Sequence, residues 1–445
     1  MIKPADQPSR PWPALLALAG FALSLIVFYP GVLNYDARYV YMDSQKGFFG
    51  DWQSPVMTWI WKIIDPIAPG TASMFLLIAG LYWLGILVLS QALARRSPVL
   101  AVTLPLLALT PPLFAFVGMI WRDVFLAACW LLAAAMVFAA SARTPRIIVI
   151  RITACALVAL GVLLRPNAVA AAPLLITYIV WPWQFSLKRT ALAFVPVMIA
   201  LAALVQVVYY GVINATRQHP LHSIIVFDLG GIAHFSGANP FPVAWTPEEM
   251  ERLRSGCYDP EAWNSYWNGH CKFVMEKVEH EQKLFGTSAL TRAWVDGILN
   301  HPTAYIKHRL TFFGTFLFGQ NAAMWTADIE HPPKRVFEDR WTFTALRHVH
   351  DALQPTPLFR GITWLAACVL LCFVAWRRRA TPEGAFTLAA CGSGAFYVLS
   401  YLPLGVACEF RYIYWAVLAS AAGLVVVLLP KNDAKVAQSE AVTAS

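Results

Sequence analysis

Residues 14–55 read ALLALAGFALSLIVFYPGVLNYDARYVYMDSQKGFFGDWQSP, an apolar run followed by a polar loop. No charged residue interrupts 14–29, whereas the loop carries Asp36 and Asp51. Charge is costly to hold near lipid, so a carboxylate at the mouth of a membrane domain is often functional. This stretch therefore predicts a membrane protein whose candidate site begins in its first loop.

The composition fixes the class of protein. Apolar residues make up 58% of the 445 residues, charged residues only 13%, and there are 18 Trp, which excludes an ordinary soluble domain. Ten apolar runs are candidates to cross a hydrocarbon core of about 30 Å. They are 14–29, 72–92, 99–120, 124–140, 147–164, 168–183, 191–212, 358–376, 385–404 and 412–429. We predict an all-α polytopic membrane protein with about ten transmembrane helices.

The sixth run is the weakest of the ten, because Pro173 and Pro182 interrupt it. We nevertheless count it as a transmembrane helix, because short cytoplasmic loops carry an excess of Lys and Arg. With the N-terminus inside, clusters such as Arg95-Arg96 and Arg377 to Arg379 are cytoplasmic, and removing the sixth helix would place the latter outside. We therefore predict a plasma membrane protein, in bacteria the inner membrane, with both termini cytoplasmic and the first helix retained rather than cleaved.

The predicted organisation has four parts. Residues 1–212 form an N-terminal membrane module, and its first outer loop, 31–71, carries short amphipathic helices suited to the membrane interface. Residues 213–357 form a small, mainly helical, external soluble domain of nearly balanced charge. Residues 358–430 supply the last transmembrane helices, and 431–445 form a disordered cytoplasmic tail. The net charge of +9 thus belongs to the membrane portion and its inner loops, so no nucleic-acid surface is predicted.

Cys257 and Cys271 are the two cysteines away from the apolar runs. In an oxidising exterior a disulfide between them is the expected state. Free thiols, or a metal site that includes His270, are the alternatives.

Three further motifs each place an Arg on the predicted outer side. The excess of Lys and Arg that sets the membrane orientation is expected in cytoplasmic loops and does not explain an Arg there. They are Trp121-Arg122-Asp123, Leu164-Arg165-Pro166-Asn167 and Cys408-Glu409-Phe410-Arg411-Tyr412. If the three Arg side chains face one cavity, their planar guanidinium groups suit a phosphate or diphosphate. The alternatives are that Asp36 caps a helix and Asp51 closes a turn, and that the Arg residues snorkel or pair locally, as Arg122 could with Asp123.

These residues resemble the multi-spanning glycosyltransferases of superfamily C. The likeness is carried by an Asp soon after the first helix, by the Gly-x-x-x-Asp-x-x-x-Pro pattern over 47–55, and by the Trp-Arg-Asp, Leu-Arg-Pro-Asn and Phe-Arg-Tyr segments. It covers most of 10–215 and 358–430. Many bacterial members have a His before the Pro of the first loop, whereas this chain has Gln53-Ser54-Pro55, so a histidine role there is not carried over.

The resemblance implies transfer of a sugar from a polyprenyl phosphate or diphosphate to a lipid, glycan or protein acceptor at the outer face. Asp36 would be the general base, with its pKa raised by its place beside lipid, and Asp51 would orient the acceptor, support Asp36 or help bind a divalent metal. The donor phosphate would be held by Arg165, Arg411 and, as a weaker candidate, Arg122. Supporting roles fall to Tyr35, Asn167 and Glu409.

No nucleotide-binding fingerprint is present, and a lipid-linked donor needs none. A transporter or flippase of lipid-linked glycans is the main alternative, although no internal repeat typical of transporters is evident. A scaffold that docks partners would leave the loop carboxylates unexplained.

Overall fold

The computed structural model describes residues 11–140, 146–320, 322–324 and 340–430. The predicted tail, 431–445, lies outside the described residues. Within the described ranges all regular secondary structure is helical, and the extended backbone pairs only at isolated bridges. This confirms the predicted all-helical class.

The N-terminal module contains ten α-helices. They are α1 (Trp12–Phe28), α2 (Tyr35–Lys46), α3 (Pro55–Ile64), α4 (Ala72–Ala94), α5 (Pro98–Ala108), α6 (Pro111–Val117), α7 (Arg122–Ala139), α8 (Ile147–Leu164), α9 (Ala172–Val180) and α10 (Leu187–Gln206). A π-helical turn, Val207–Val212, continues α10, and the 3₁₀-helix Pro166–Ala170 precedes α9.

The middle and C-terminal parts contain ten more. They are α11 (Leu221–Ser236), α12 (Pro247–Ser255), α13 (Phe273–Met275), α14 (Ser288–Asn300), α15 (Pro302–Phe318), α16 (Trp341–Leu353), α17 (Gly361–Trp376), α18 (Pro382–Leu399), α19 (Tyr401–Leu404) and α20 (Tyr414–Val427). The 3₁₀-helix Phe410–Ile413 runs directly into α20.

Among the described residues, six helical segments are long and apolar enough to span a membrane. They are Ala72–Ala94, Arg122–Ala139, Ile147–Leu164, Leu187–Val212, Pro382–Leu404 and Phe410–Val427. A seventh is obtained if α5 and α6, which meet at 60°, are one broken span. The protein is thus an integral membrane protein with six or seven candidate spans by length.

The other predicted spans are shorter than expected. Helices α1 and α17 are apolar but have 17 and 16 residues. The predicted run 168–183 is not one helix, because it consists of part of a 3₁₀-helix followed by the nine residues of α9. Pro166 begins the 3₁₀-helix and Pro173 lies in the first turn of α9, where the absence of a proline N–H is tolerated.

The two helices predicted in the first loop are present. The Asn34 side chain accepts a hydrogen bond from Ala37 N at 2.8 Å and caps α2, which ends at Gly47 in the left-handed region. Helix α3 begins with Pro55 after the Ser54 cap. Its Trp61 is fully buried while Trp59 and Ile63 are exposed, so the helix is amphipathic.

Two ends of the helix bundle can be distinguished by their charged residues. At the Arg378 end, named after that residue, Arg96 pairs with Glu383 and Arg378 donates to the carbonyl oxygens of Val427 and Leu429. At the Arg411 end, Asp36, Arg165 and Arg411 come together, as described below. The polar segments 31–71 and 213–320 adjoin the Arg411 end.

The predicted disulfide between Cys257 and Cys271 is present, with the Cα atoms 5.6 Å apart. His270 lies beside it and approaches the Gly256 carbonyl oxygen through Nε2 at 3.0 Å. Both sulfur atoms are used in the bond, so the pairing explains these cysteines without a metal ion.

Candidate functional site

Asp36 lies in the first turn of α2, where the Asn34 cap fixes its direction. Its Oδ2 is 2.6 Å from Nη1 of Arg411, and its Oδ1 accepts a hydrogen bond from Gln53 Nε2 at 3.4 Å. About a third of the side chain is exposed. The first-loop carboxylate is thus an ion-paired group and not merely a helix cap.

Arg411 is nearly buried and joins two carboxylates. Besides Asp36 it contacts Glu409, with Nε 2.6 Å from Oε2 and Nη2 donating to Oε1 at 2.9 Å. Its guanidinium also lies over the Trp121 ring, 5.1 Å from the ring centre. The 3₁₀-helix Phe410–Ile413 holds it in place at the start of α20.

Arg165 forms the neighbouring ion pair. Its Nε donates to Oδ1 of the buried Asp123 at 2.7 Å, and its guanidinium lies 4.6 Å from the centre of the Tyr412 ring. The Arg411 guanidinium lies 5.0 Å from the same ring centre, so Tyr412 adjoins both cations. Nη2 of Arg165 is buried and has no hydrogen-bond partner among the described residues, so a donor remains for a bound anion.

Arg122 faces a small cavity, with room for about one water molecule, together with Asp36 and Arg411. Gln53, Trp121 and apolar side chains of α2 and α3 complete the lining. Asp123 pairs with Arg165 rather than with Arg122, so the local pair considered from the sequence is wrong. In the described part of the chain Arg122 makes no ion pair or side-chain hydrogen bond, and its guanidinium is the uncommitted cation of the cavity.

The pKa of Asp36 differs from the sequence-based expectation. Burial raises it, but the charges of Arg411, Arg122 and Arg165 and the hydrogen bond from Arg411 outweigh burial, so the pKa lies below its ordinary value. The expectation of a raised pKa is wrong for this state of the site. For Glu409 burial outweighs the effect of Arg411, and its pKa is raised. The pKa of Asp36 is therefore lowered while that of Glu409 is raised, and Asp36 is ionised at neutral pH.

Asp51 is buried and has different partners. Tyr210 donates to Oδ2 at 2.7 Å, and the backbone N–H of Gln218 donates to Oδ1 at 2.5 Å. The Gln218 side chain in turn accepts from Trp52 N, and it lies so close to Gly50 that a Cβ there would be 2.0 Å from its Oε1. Asp51 thus ties the first loop to residues 216–218, and its contacts do not include Asp36.

The predicted supporting residues are in different places. Glu409 is part of the Arg411 cluster, as described above. Asn167 is half-buried in the 3₁₀-helix after Arg165 and lies near the Tyr401 hydroxyl. Tyr35 is exposed, and its hydroxyl accepts a hydrogen bond from the Tyr39 hydroxyl at 3.0 Å.

A second small cavity, with room for about one water molecule, adjoins Glu409. Its wall includes the apolar side chains Phe316, Phe359, Phe410 and Ile413 together with small and polar residues such as Thr315. Glu409 and Phe410 line this cavity and precede Arg411, the ion-pair partner of Asp36. The cavity could not be predicted from the sequence, because its wall is drawn from residues far apart in the chain.

Four contributors to the site were also missed as functional residues, namely Gln53, Trp121, Asp123 and Tyr412. Each lies inside or beside a motif quoted above, so their position was a signal, but their pairing was not evident. Among the described residues, the His, Cys and carboxylate groups close enough to share a metal ion are Cys257, His270 and Cys271, of which two form the disulfide. Asp36 and Asp51 do not form such a group.

No protein-family model matches this sequence, and no curated protein matches it. Two solved structures are similar. One is the archaeal oligosaccharyltransferase AglB from Archaeoglobus fulgidus, in complex with an inhibitory peptide and a dolichol-phosphate, at 13% identity and a TM-score of 0.41 over 93% of this chain. This chain spans 50% of the AglB chain.

The other is ArnT from Cupriavidus metallidurans bound to undecaprenyl phosphate, at 15% identity and a TM-score of 0.34. The match covers 88% of this chain and 78% of the ArnT chain. At such low identity and TM-score, neither likeness carries a functional argument.

Proposed function

We propose that this protein transfers a sugar from a polyprenyl phosphate or diphosphate donor to a hydroxyl or amine acceptor on a lipid, glycan or protein. One observation carries most weight: an ionised Asp36 and the uncommitted cation Arg122 face one cavity, with Arg411 between Asp36 and Glu409. Beyond Glu409, the apolar side chains Phe316, Phe359, Phe410 and Ile413 would contact the isoprenoid chain of the donor.

The donor phosphate has three candidate partners. Arg122 is free to bind it, and Arg165 has a buried Nη2 without a partner. Arg411 is engaged by Asp36 and Glu409, so a phosphate at Arg411 competes with both carboxylates. Charge-assisted hydrogen bonds from Arg to phosphate are strong enough for that competition.

Asp36 would take the proton from the acceptor as the acceptor oxygen or nitrogen attacks C1 of the sugar. The bond from C1 to the phosphate oxygen breaks, and the electron pair leaves with the lipid phosphate, where the Arg residues stabilise the added charge. A phosphate that draws Arg411 away from Asp36 also removes the main cation that lowers its pKa. Donor binding would thereby make Asp36 a stronger base.

Asp51 would support this site from the first loop, by holding that loop against residues 216–218. In the described residues, neither Asp36 nor Asp51 belongs to a group of three or more side chains that could share a divalent metal ion. No step is therefore assigned to a metal.

The function is tested by incubating purified protein, in detergent and in liposomes, with a polyprenyl-linked sugar labelled on the sugar. We expect labelled product and released polyprenyl phosphate in both media. A flippase would move the donor across the liposome membrane without consuming it, and intact donor on the far side would contradict the proposal.

The proposed topology has ten crossings, with the Arg411 end outside. Between Arg165 and Phe185 the chain passes from the Arg411 end to the Arg378 end without a single spanning helix. Arg165 lies at the Arg411 end, whereas the backbone N–H of Phe185 donates to the Arg379 carbonyl at the opposite end, at 2.7 Å. These positions support counting the broken segment between them as a crossing, and among the short loops those at the Arg378 end are the basic ones.

Reporter fusions test this topology. We expect a reporter fused after Arg189 to be active only in the cytoplasm and one fused at Glu279 to be active only outside, because residues 213–357 follow an odd number of crossings. A cytoplasmically active reporter at Glu279 would contradict both the orientation and the outer location of the site.

A further inference from the structure

Helix α15 has two different faces within the segment predicted to be a soluble domain. Its inner face packs at the Arg411 end of the bundle. Arg309 Nε lies 2.6 Å from Oδ1 of the fully buried Asp228, and its Nη1 donates to the Gly405 carbonyl at 2.7 Å. Further along the helix, the Phe316 ring stacks on Tyr401 with the ring centres 4.9 Å apart. These contacts fix α15 against the end of the span Pro382–Leu404.

The C-terminal end of α15 also touches the next apolar helix. Arg360, just before α17, donates to the Phe318 carbonyl at 2.6 Å. Helix α15 therefore contacts the start of α17 and the end of the span Pro382–Leu404.

The outer face of α15 is apolar, and no residue in the described part of the chain covers it. Ile306, Leu310 and Phe318 are 53%, 58% and 60% exposed. They follow one row at four-residue spacing with Gly314, where an added Cβ would meet nothing within 4 Å. At the end of α14, just before α15, Leu299 is 72% exposed. An uncovered row of this length is unusual on a water-facing helix.

We infer that α15 is an interfacial helix that lays Ile306, Leu310 and Phe318 into the lipid leaflet at the Arg411 end. The occupant is lipid rather than protein because α15 packs on Tyr401 and Gly405 at the end of the span Pro382–Leu404, whose Phe396, Leu399 and Leu404 are likewise exposed. Lys307 is exposed beside the row and suits a lipid phosphate, since a long basic side chain can extend to the headgroups. This inference does not depend on the transferase activity.

The test places a fluorescent label at Leu310→Cys in the full-length protein, reconstituted in vesicles of phosphatidylethanolamine and phosphatidylglycerol. Glu251→Cys, on the exposed polar helix α12, is the matched control. The parent protein corrects for labelling of the six free cysteines, and omitting reductant preserves the Cys257 to Cys271 disulfide. A second label site, Ile306→Cys, repeats the measurement one turn away.

We expect lipids with a nitroxide near the headgroup to quench the Leu310 label at least about threefold more than the Glu251 label, because an interfacial helix buries its apolar face by 5–10 Å. Aqueous iodide should quench it correspondingly less. Equal iodide quenching at both sites would overturn the inference. A Leu310 label shielded from both quenchers would also overturn it, because another protein surface would then cover α15.

Discussion

Replacing Asp36 with Asn is expected to lower the rate of sugar transfer by about 10²-fold or more, because the amide cannot accept the acceptor's proton. The substitution keeps the size of the side chain and its hydrogen bond with Gln53. Donor binding should persist, since Arg122, Arg165 and Arg411 remain and the competing carboxylate is removed. Conversion of labelled donor by the purified variant measures the loss.

Asp43→Asn is the matched control, since Asp43 lies on the same helix and does not line the cavity. It should leave the transfer rate unchanged. A well-folded Asp36→Asn variant with unchanged turnover would refute the catalytic assignment and leave the donor site as a binding site only.

The pH dependence gives an independent check on Asp36. Its pKa is lowered in the state described, so the ionised base is lost only when the pH falls below the ordinary Asp value of about 3.9. The acid limb of kcat/KM, which reports the free enzyme, should therefore lie below that value. If donor phosphate displaces Asp36 from Arg411, the limb of kcat should lie at higher pH. Coincident limbs would mean that Asp36 stays paired when donor binds.

Substitutions of Arg122 and Arg165 are expected to have different large effects, the first on donor binding and the second on folding stability. Arg122→Gln should weaken donor binding by about 10-fold to 100-fold, the value of losing a charge-assisted hydrogen bond, without loss of folding stability. Arg122 has no ion-pair partner among the described residues, so no carboxylate is left alone. Arg165→Gln leaves the buried Asp123 without its cation and should cost about 3–5 kcal/mol of folding stability.

Thermal unfolding in detergent and donor titration measure the two effects separately. The double variant Asp123→Asn with Arg165→Gln should recover most of the stability, because no buried charge remains unpaired, while donor binding stays weak. Arg292→Gln, an exposed Arg on α14, is the control for loss of one positive charge. Equal loss of stability in Arg122→Gln and Arg165→Gln would contradict the division of roles.

The sequence by itself determined the class of protein and the ingredients of the site. Apolar runs separated by charged loops specify membrane helices locally, because lipid satisfies no backbone polar group and each span forms its own hydrogen bonds. Helices α2 and α3 were likewise predicted from the amphipathic pattern of the first loop, and in the structure Asn34 and Ser54 cap them. The disulfide could be predicted because Cys257 and Cys271 were the two cysteines away from the apolar runs.

The tertiary structure alone decided which charges meet. Asp36 and Arg411 are 375 positions apart, and their ion pair depends on how the 3₁₀-helix Phe410–Ile413 packs beside α2. The same packing separates Asp51 from Asp36, assigns Asp123 to Arg165 and lowers the pKa of Asp36. Electrostatic effects depend on distance and burial in three dimensions, and neither quantity is contained in the spacing of a motif.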